Sequence, residues 1–324
     1  MSPFLDAEGL QQHRARNALH SLVLVGSMLT VTIICAWLIA SWWGVIIAVA
    51  GVGTAMWFAP RVQPETLMRM YRARRLDTLR GGQLARLVEV LADRTELPVE
   101  PRVYIVPSMA LNAFATGSPD NAGIAVTEGL LRRLDMREIA GVLAHEMSHI
   151  RNNDLVVMGL ADTMTRLTHM FSYVAVALAI LNLPSLFTGE AQISWFAILI
   201  LYLAPAASSL LQLALSRTRE YDADQEAALL TGDPMGLASA LTKLERYQGQ
   251  FWEDLTFPVP ARRVPQPSLL RTHPTTEERV ARLRSLENVP RAKPIVVVDE
   301  PMVSLVGFGP AEMRPRYRWT GLWY

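Results

Sequence analysis

Three apolar blocks interrupt an otherwise mixed chain and set its outline. Residues 18–60 form a run of 43 without a single Asp, Glu, Lys or Arg. A membrane-crossing helix takes about 20 apolar residues, so this block predicts two spans, over 19–40 and 44–59. The turn between them falls at Ser41-Trp42-Trp43-Gly44, where paired tryptophans suit a lipid headgroup layer. The stretch is too long for a cleaved signal peptide, and no small-residue cleavage site precedes the second span. Residues 170–187 and 193–215 predict a second helical hairpin around the short polar turn at 188–192. The 170–187 block contains Asn182 and Pro184 and is barely of spanning length, so a hairpin buried in a soluble domain is its alternative.

Between and after these blocks the periodicity changes. Residues 67–80 are basic and amphipathic, predicting a helix on the membrane surface. Gly81-Gly82 breaks it, and Leu84, Leu87, Val88 and Leu91 then recur at helical spacing over 83–96, ended by Pro98. The β-branched and aromatic run at 103–106 predicts a short strand, and 112–116 with 123–127 a small antiparallel pair. Asp135 followed three residues later by Glu138 is a capping box that opens the next helix.

Composition agrees with a membrane protein carrying a modest soluble domain. The chain is 51% hydrophobic and 19% charged, with mean hydropathy +0.20, against about 25% charged in soluble domains. The single cysteine, Cys35, lies inside an apolar run, which excludes an internal disulfide framework and a cysteine-built zinc site. Lys+Arg 31 against Asp+Glu 30 leaves no global field for nucleic acid. The local bias is stronger. Arg14 and Arg16 precede the first span, and Arg61, Arg69, Arg72, Arg74, Arg75 and Arg80 follow the second, whereas both hairpin turns lack Lys and Arg. The positive-inside rule then puts both termini, and everything between the hairpins, in the cytoplasm.

The helix opened by Asp135 contains His145-Glu146-Met147-Ser148-His149. Residues four apart share a helix face, so both imidazoles can bind one zinc ion while Glu146, one residue past the first, holds a water. A catalytic zinc takes three protein ligands and keeps a fourth position open. His169, His273 or a carboxylate can supply the third. Just after the last apolar block, Arg219-Glu220-Tyr221-Asp222-Ala223-Asp224 again places two acids four apart. Glu220 can complete the site, and Asp224 can receive the free N–H of a ligand histidine.

Ala144-His145-Glu146-Met147-Ser148-His149-Ile150 followed by Arg219-Glu220-Tyr221-Asp222-Ala223-Asp224 resembles the HtpX-type membrane zinc metalloproteases, relatives of the CAAX prenyl endopeptidases. Asn112-Ala113-Phe114-Ala115-Thr116-Gly117, Ala125-Val126-Thr127-Glu128-Gly129-Leu130-Leu131, and His273-Pro274 with Arg279 fit the same family, over about residues 19–286. The Pro-rich stretch 248–271 departs from the family pattern, and 290–324 matches nothing in it. The resemblance implies a mainly α fold with a small antiparallel β-sheet (α+β, gluzincin-like) and about four transmembrane helices. It implies one Zn2+ per chain on His145, His149 and Glu220, Glu146 as general base and proton shuttle, and His273 reaching the tetrahedral oxyanion. Asp224 would stand behind a ligand histidine and Arg279 would tie Asp224 in place. Asn112, Ala113 and Phe114 would lie along an extended protein or peptide substrate.

The domain plan that follows is a cytoplasmic segment 1–18, a hairpin 19–59, a first catalytic part 60–169, a second hairpin 170–215, a second catalytic part 216–289 and a tail 290–324. The expected protein is an endopeptidase of the bacterial inner membrane, embedded in the lipid bilayer, with its catalytic domain in the cytoplasm and a role in degrading damaged or misfolded membrane proteins. Two rivals stand beside it: a membrane scaffold or chaperone with a purely structural zinc, and a processing enzyme that trims one substrate's end.

Overall fold

The structure is a computed structural model that describes residues 7–58, 64–76, 82–189, 193–256, 274–286 and 295. Its first helix, α1 (Ala7–Phe58), is broken at Ala40 and Ser41, the latter at φ 50°. Met28 and Val52 would stand about 36 Å apart on a straight helix. They instead share one apolar cluster with Ala161, Met164 and Leu215, so the two limbs of α1 fold back on each other. Gly44 permits that reversal, because a Cβ there would run into the backbone carbonyl of Ala36. Hydroxyls in this apolar helix bond to the preceding turn, Thr32 to the Met28 carbonyl at 2.9 Å and Thr54 to Ala50 at 2.7 Å. That satisfies them without water.

Two further long helices pack on α1: α6 (Asp154–Asn182) and α8 (Trp195–Thr231), joined through the single turn α7 (Ser185–Thr188). Asn182 clamps the connection by donating to the Ile193 carbonyl at 2.8 Å. Among the described residues, three helices are long and apolar enough to cross a membrane: 18–54 within α1, α6 and α8. Met170, Tyr173, Ile180 and Leu181 are exposed by 60–73% on α6, which a hairpin buried in a soluble domain would not allow.

Outside these helices the chain forms a mostly helical unit around a small sheet. The short helix α2 (Pro64–Met70) is followed by the strand β1 (Arg74–Arg75), so the surface helix expected over 67–80 ends at Met70. Met68 and Tyr71 explain the early stop: they bury against Tyr104, Val106 and Ala125 and bring the chain onto the sheet. Then come α3 (Gly82–Thr95), β2 (Arg102–Val106), β3 (Ala113–Ser118) and β4 (Asn121–Thr127), in sheet order β1-β2-β4-β3. The expected β3–β4 pair is antiparallel, but β2 and β4 run parallel, so the sheet is mixed rather than antiparallel. The reason lies in the crossing between β2 and β3, which lets the hairpin lay β4 back beside β2. β4 is buried along six of its seven residues, as expected of a central strand. Gly117 at φ 97° makes the tight β3–β4 turn possible.

The helices α4 (Glu128–Arg133), α5 (Met136–Arg151), α9 (Pro234–Thr256) and α10 (Thr276–Ser285) complete the unit. Leu143, Ala144, Met147 and Ile150 of α5 sit in one core with Leu84, Leu91, Ile124, Val126, Leu237 and Leu283. The capping box at the start of α5 is present: Asp135 accepts from the Glu138 N–H at 2.8 Å and Glu138 from the Asp135 N–H at 3.0 Å. Glu138 also accepts from Ser239 at 2.6 Å and Lys243 at 2.7 Å, tying α5 to α9. Gly141 allows the same approach, since a Cβ there would stand 2.8 Å from the Leu237 backbone.

Burial alone would raise the Glu138 carboxyl, yet Lys243, Ser239 and the Asp135 N–H hold it below its usual 4.5. A depressed acid stabilises the fold above its unfolded pKa and loses that contribution as pH falls through its folded value. Glu138→Gln is therefore expected to cost about 2 kcal/mol at pH 7. The gap to wild type should shrink below pH 4.5, as read by denaturant unfolding of the detergent-solubilised proteins at both pH values.

Candidate metal centre

On α5, Ala144, Met147 and Ser148 turn into the core with at most 0% exposure, leaving His145, Glu146 and His149 on the opposite face. Glu220 arrives from α8. One ligand atom from each of His145, His149 and Glu220 lies within 4.8 Å of the others. The Nε2 atoms of His145 and His149 are 3.2 Å apart, and His145 Nε2 is 3.5 Å from Glu220 Oε2. Zinc–nitrogen bonds of 2.0–2.1 Å at a tetrahedral angle put two ring nitrogens about 3.3 Å apart, so this spacing fits one ion.

The charges fit as well. Glu146, Glu220, Asp224 and Asp154 gather here, and the guanidiniums paired with them are Arg279 and Arg219. Among the described residues this mostly buried cluster carries more carboxylates than guanidiniums, surroundings that suit a divalent cation.

A layer of charged groups holds these three side chains. Asp224 Oδ1 lies 3.1 Å from His145 Nδ1, and Arg279 grips Asp224 with two hydrogen bonds of 2.7 and 2.6 Å. The same guanidinium reaches Glu220 Oε2 at 3.0 Å, so α10 supports both acids of α8. Burial alone would raise Asp224, but Arg279 and His145 hold it below the usual carboxylate range. Burial would lower His149, but the hydrogen bond it donates to Asp154 and the charges of Glu146, Asp154 and Glu220 push it up to about 9.

Asp154 is absent from the residues expected from sequence. It is the first residue of α6, reached through the left-handed corner at Asn153 (φ 54°). Its Oδ2 lies 2.8 Å from His149 Nδ1, and its Oδ1 3.1 Å from the Arg219 guanidinium. An acid five residues beyond the second histidine, with an Arg beside Glu220, was the available signal. Asp154→Asn is expected to weaken zinc binding by 10–100-fold, measured by competition with a chromogenic chelator.

Glu146 accepts a hydrogen bond from the Ala115 N–H at 2.9 Å. Burial raises its carboxyl above the usual range; His145 and His149 pull it down, Glu220 pushes it up, and the Ala115 N–H pulls it down slightly. β3 is the edge strand on this side of the sheet. Thr127 N–H bonds to the Asn112 carbonyl at 3.0 Å. By antiparallel alternation, Asn112 and Phe114 turn their backbone groups to β4, while Ala113, Ala115 and Gly117 turn theirs outward. Ala113 is thus on the open edge. The Asn112 residue is exposed, and the Phe114 ring packs on Tyr71 with centroids 4.9 Å apart. His169 is exposed on α6, outside the cluster. His273 lies outside the described residues, as does the tail from 290 apart from residue 295.

Comparison with known proteins bears on this arrangement. A family model described as Peptidase family M48 matches residues 78–287. A protein named Protease HtpX homolog from Desulfatibacillum aliphaticivorans is 35% identical over 280 residues, covering 82% of this chain and 89% of its own. A protein of the same name from Methylibium petroleiphilum is 37% identical over 252 residues, covering 71% of this chain and 82% of its own. A crystal structure of S. mikatae Ste24p is similar at a TM-score of 0.48 and 21% identity, over 84% of this chain and 66% of that one.

Proposed function

The chain belongs to peptidase family M48 beside the HtpX proteases and is a multi-pass membrane metalloprotease that hydrolyses peptide bonds; from that premise we propose that it is a zinc-dependent endopeptidase working at the cytoplasmic face of the bacterial inner membrane. The observation that carries the reading is the convergence of His145, His149 and Glu220 beside Glu146. The first three would hold one zinc ion. When bound, it would polarise the scissile carbonyl and lower the pKa of a water to about 7.

The remaining work falls to side chains and one strand edge. Glu146, with one carboxylate oxygen seated on the Ala115 N–H, takes a proton from the attacking water and passes it to the leaving amine nitrogen. Burial raises its carboxyl above the usual range, which favours uptake of that proton. The outward backbone groups of Ala113 and Gly117 pair with an extended substrate, giving register with little side-chain preference. Asn112 and Phe114 flank that edge, and His273 meets the developing oxyanion. Asp224 and Asp154 orient His145 and His149, with Arg279 and Arg219 behind them. Such sequence tolerance suits the removal of damaged or misfolded membrane proteins.

The folded-back limbs of α1, with α6 and α8, support four spans, and the arginines after the first hairpin support a cytoplasmic position for both halves of the catalytic unit. Those halves are 60–169 and 216–289, separated by the second hairpin at 170–215, with hairpin 19–59 before them and the segments 1–18 and 290–324 at the ends.

The detergent-purified chain is expected to carry about one zinc and to cut unfolded casein, with cleavage abolished by a chelator and restored by zinc. A protein that retains zinc yet cuts neither casein nor unfolded membrane proteins, with or without residues 290–324, would hand the site to the scaffold reading.

A further inference from the structure

The corner between α5 and α6 meets α8 at two points. Asp154, at the start of α6, pairs with Arg219 of α8 at 3.1 Å. At the other side of the corner, Glu226 of α8 reaches back to the end of α5. Its Oε1 accepts from the Arg151 guanidinium at 2.8 Å, and its Oε2 from the Asn152 side-chain amide at 2.8 Å. This ion pair is largely buried, with 16% of the Glu226 side chain and 19% of the Arg151 side chain exposed. The other contact of that guanidinium, to Glu96 at 3.5 Å, is looser, and its acid is 72% exposed.

The polarity reverses from one point to the other. At Arg219 a cation on α8 takes the acid of the corner; at Glu226 an acid on α8 takes its cation. The two α8 residues are seven apart, so they share one face and stand about 10 Å apart along the axis. Ala223 lies between them on that face. A slip of α8 by one turn in either direction would set Ala223 against Arg151 or Asp154 and strand a largely buried charge, which is strongly unfavourable. The two contacts together therefore select one register.

The candidate metal centre depends on that register. His149 stands two residues before Arg151, and Glu220 directly follows Arg219. Any slide of α8 along α5 carries Glu220 with it, and a working site tolerates a misplacement of only about 0.5 Å. We propose that Glu226 is a positioning residue for the metal centre: by gripping Arg151 and Asn152 it sets the register of α8 against α5, and so the approach of Glu220 to the two histidines. It acts through the helix rather than at the reacting atoms. The inference rests on the metal-centre reading, and its test separates the two.

Zinc affinity is measured by chelator competition on the detergent-purified full chain, at a temperature where circular dichroism shows each variant folded. Glu226→Ala is expected to weaken binding about tenfold, the low end of the loss when a group behind a metal ligand is removed. Glu226→Gln keeps the shape of the side chain and an oxygen for Arg151, and should recover most of that loss. Arg151→Met probes the same clasp from α5, and carries the test should Glu226→Ala not fold; it should also weaken binding. The double variant should stay within about twofold of Glu226→Ala, since both changes break one contact. With Co2+ in place of zinc, the visible absorption bands of Glu226→Ala and Arg151→Met should shift from those of wild type, whereas those of Glu226→Gln should not. Denaturant unfolding of the metal-stripped chains runs alongside. Variants that lose stability there, yet keep wild-type zinc affinity and cobalt bands when folded, would overturn the proposal and leave Glu226 a purely structural residue. Additive losses in the double variant would overturn it too. A wild-type chain that takes up no zinc would instead overturn the metal-centre reading, and the proposal with it.

Discussion

Replacing Glu146 by Gln is expected to slow peptide hydrolysis by about 10²–10⁴-fold, the usual contribution of a positioned general base, while about one zinc per chain stays bound. The substitution keeps the shape of the side chain and a carbonyl oxygen that can accept from the Ala115 N–H, as Glu146 does at 2.9 Å. What it removes is a group able to take a proton. The proposed ligands His145, His149 and Glu220 keep their own side chains in this variant. Cleavage of a fluorogenic casein together with zinc analysis of the same sample separates the two effects. A variant that holds zinc and still cuts within tenfold of wild type would assign the proton transfer to another residue. Loss of zinc in parallel with activity would make Glu146 part of the metal's support instead.

Removing Arg279 is expected to have the largest effect on stability. Its guanidinium bonds to both oxygens of Asp224 at 2.6 and 2.7 Å and reaches Glu220 at 3.0 Å, with only 11% of its side chain exposed. Arg279→Met leaves two buried acids side by side without their common counter-ion, a type of loss that costs about 3–5 kcal/mol. Arg279→Lys should recover part of it, since an ammonium restores charge but cannot form the two-pronged contact to Asp224. Denaturant unfolding of metal-stripped proteins measures the difference directly. A loss below about 1 kcal/mol, in the range of an exposed pair, would mean that solvent reaches these acids freely.

The parts of this molecule that announce themselves in sequence are those governed by one local rule. Four residues on one helix face put His145 with His149, and a long uncharged run foretold α1. The break near Ser41 was likewise marked by Ser41-Trp42-Trp43-Gly44, where paired tryptophans divide two apolar halves. Tertiary pairing was harder to see. The basic residues from 67 to 80 obey a helical pattern, yet Met68 and Tyr71 bury on Tyr104 and Val106, and the chain becomes an edge strand at Arg74–Arg75. Alternation over β2 and β4 is the same for parallel and antiparallel neighbours, so the mixed sheet was hidden. Asp154 was hidden for a different reason. Its relation to His149 depends on the left-handed corner at Asn153, and to Arg219 on two helices that are remote in sequence.

The position of Glu220 near the far end of the unbroken helix α8 has a consequence for biosynthesis. His145 and His149 leave the ribosome about 70 residues before Glu220 does, a delay of about 4–14 s at ordinary rates of translation. During that interval the two histidines have neither Glu220 nor the later Asp224 and Arg279. Glu220 can reach them only when α6 and α8 have paired. A newborn chain therefore cannot bring Glu220 to the two histidines before α6 and α8 have folded against each other, so the proposed site is completed only late in synthesis.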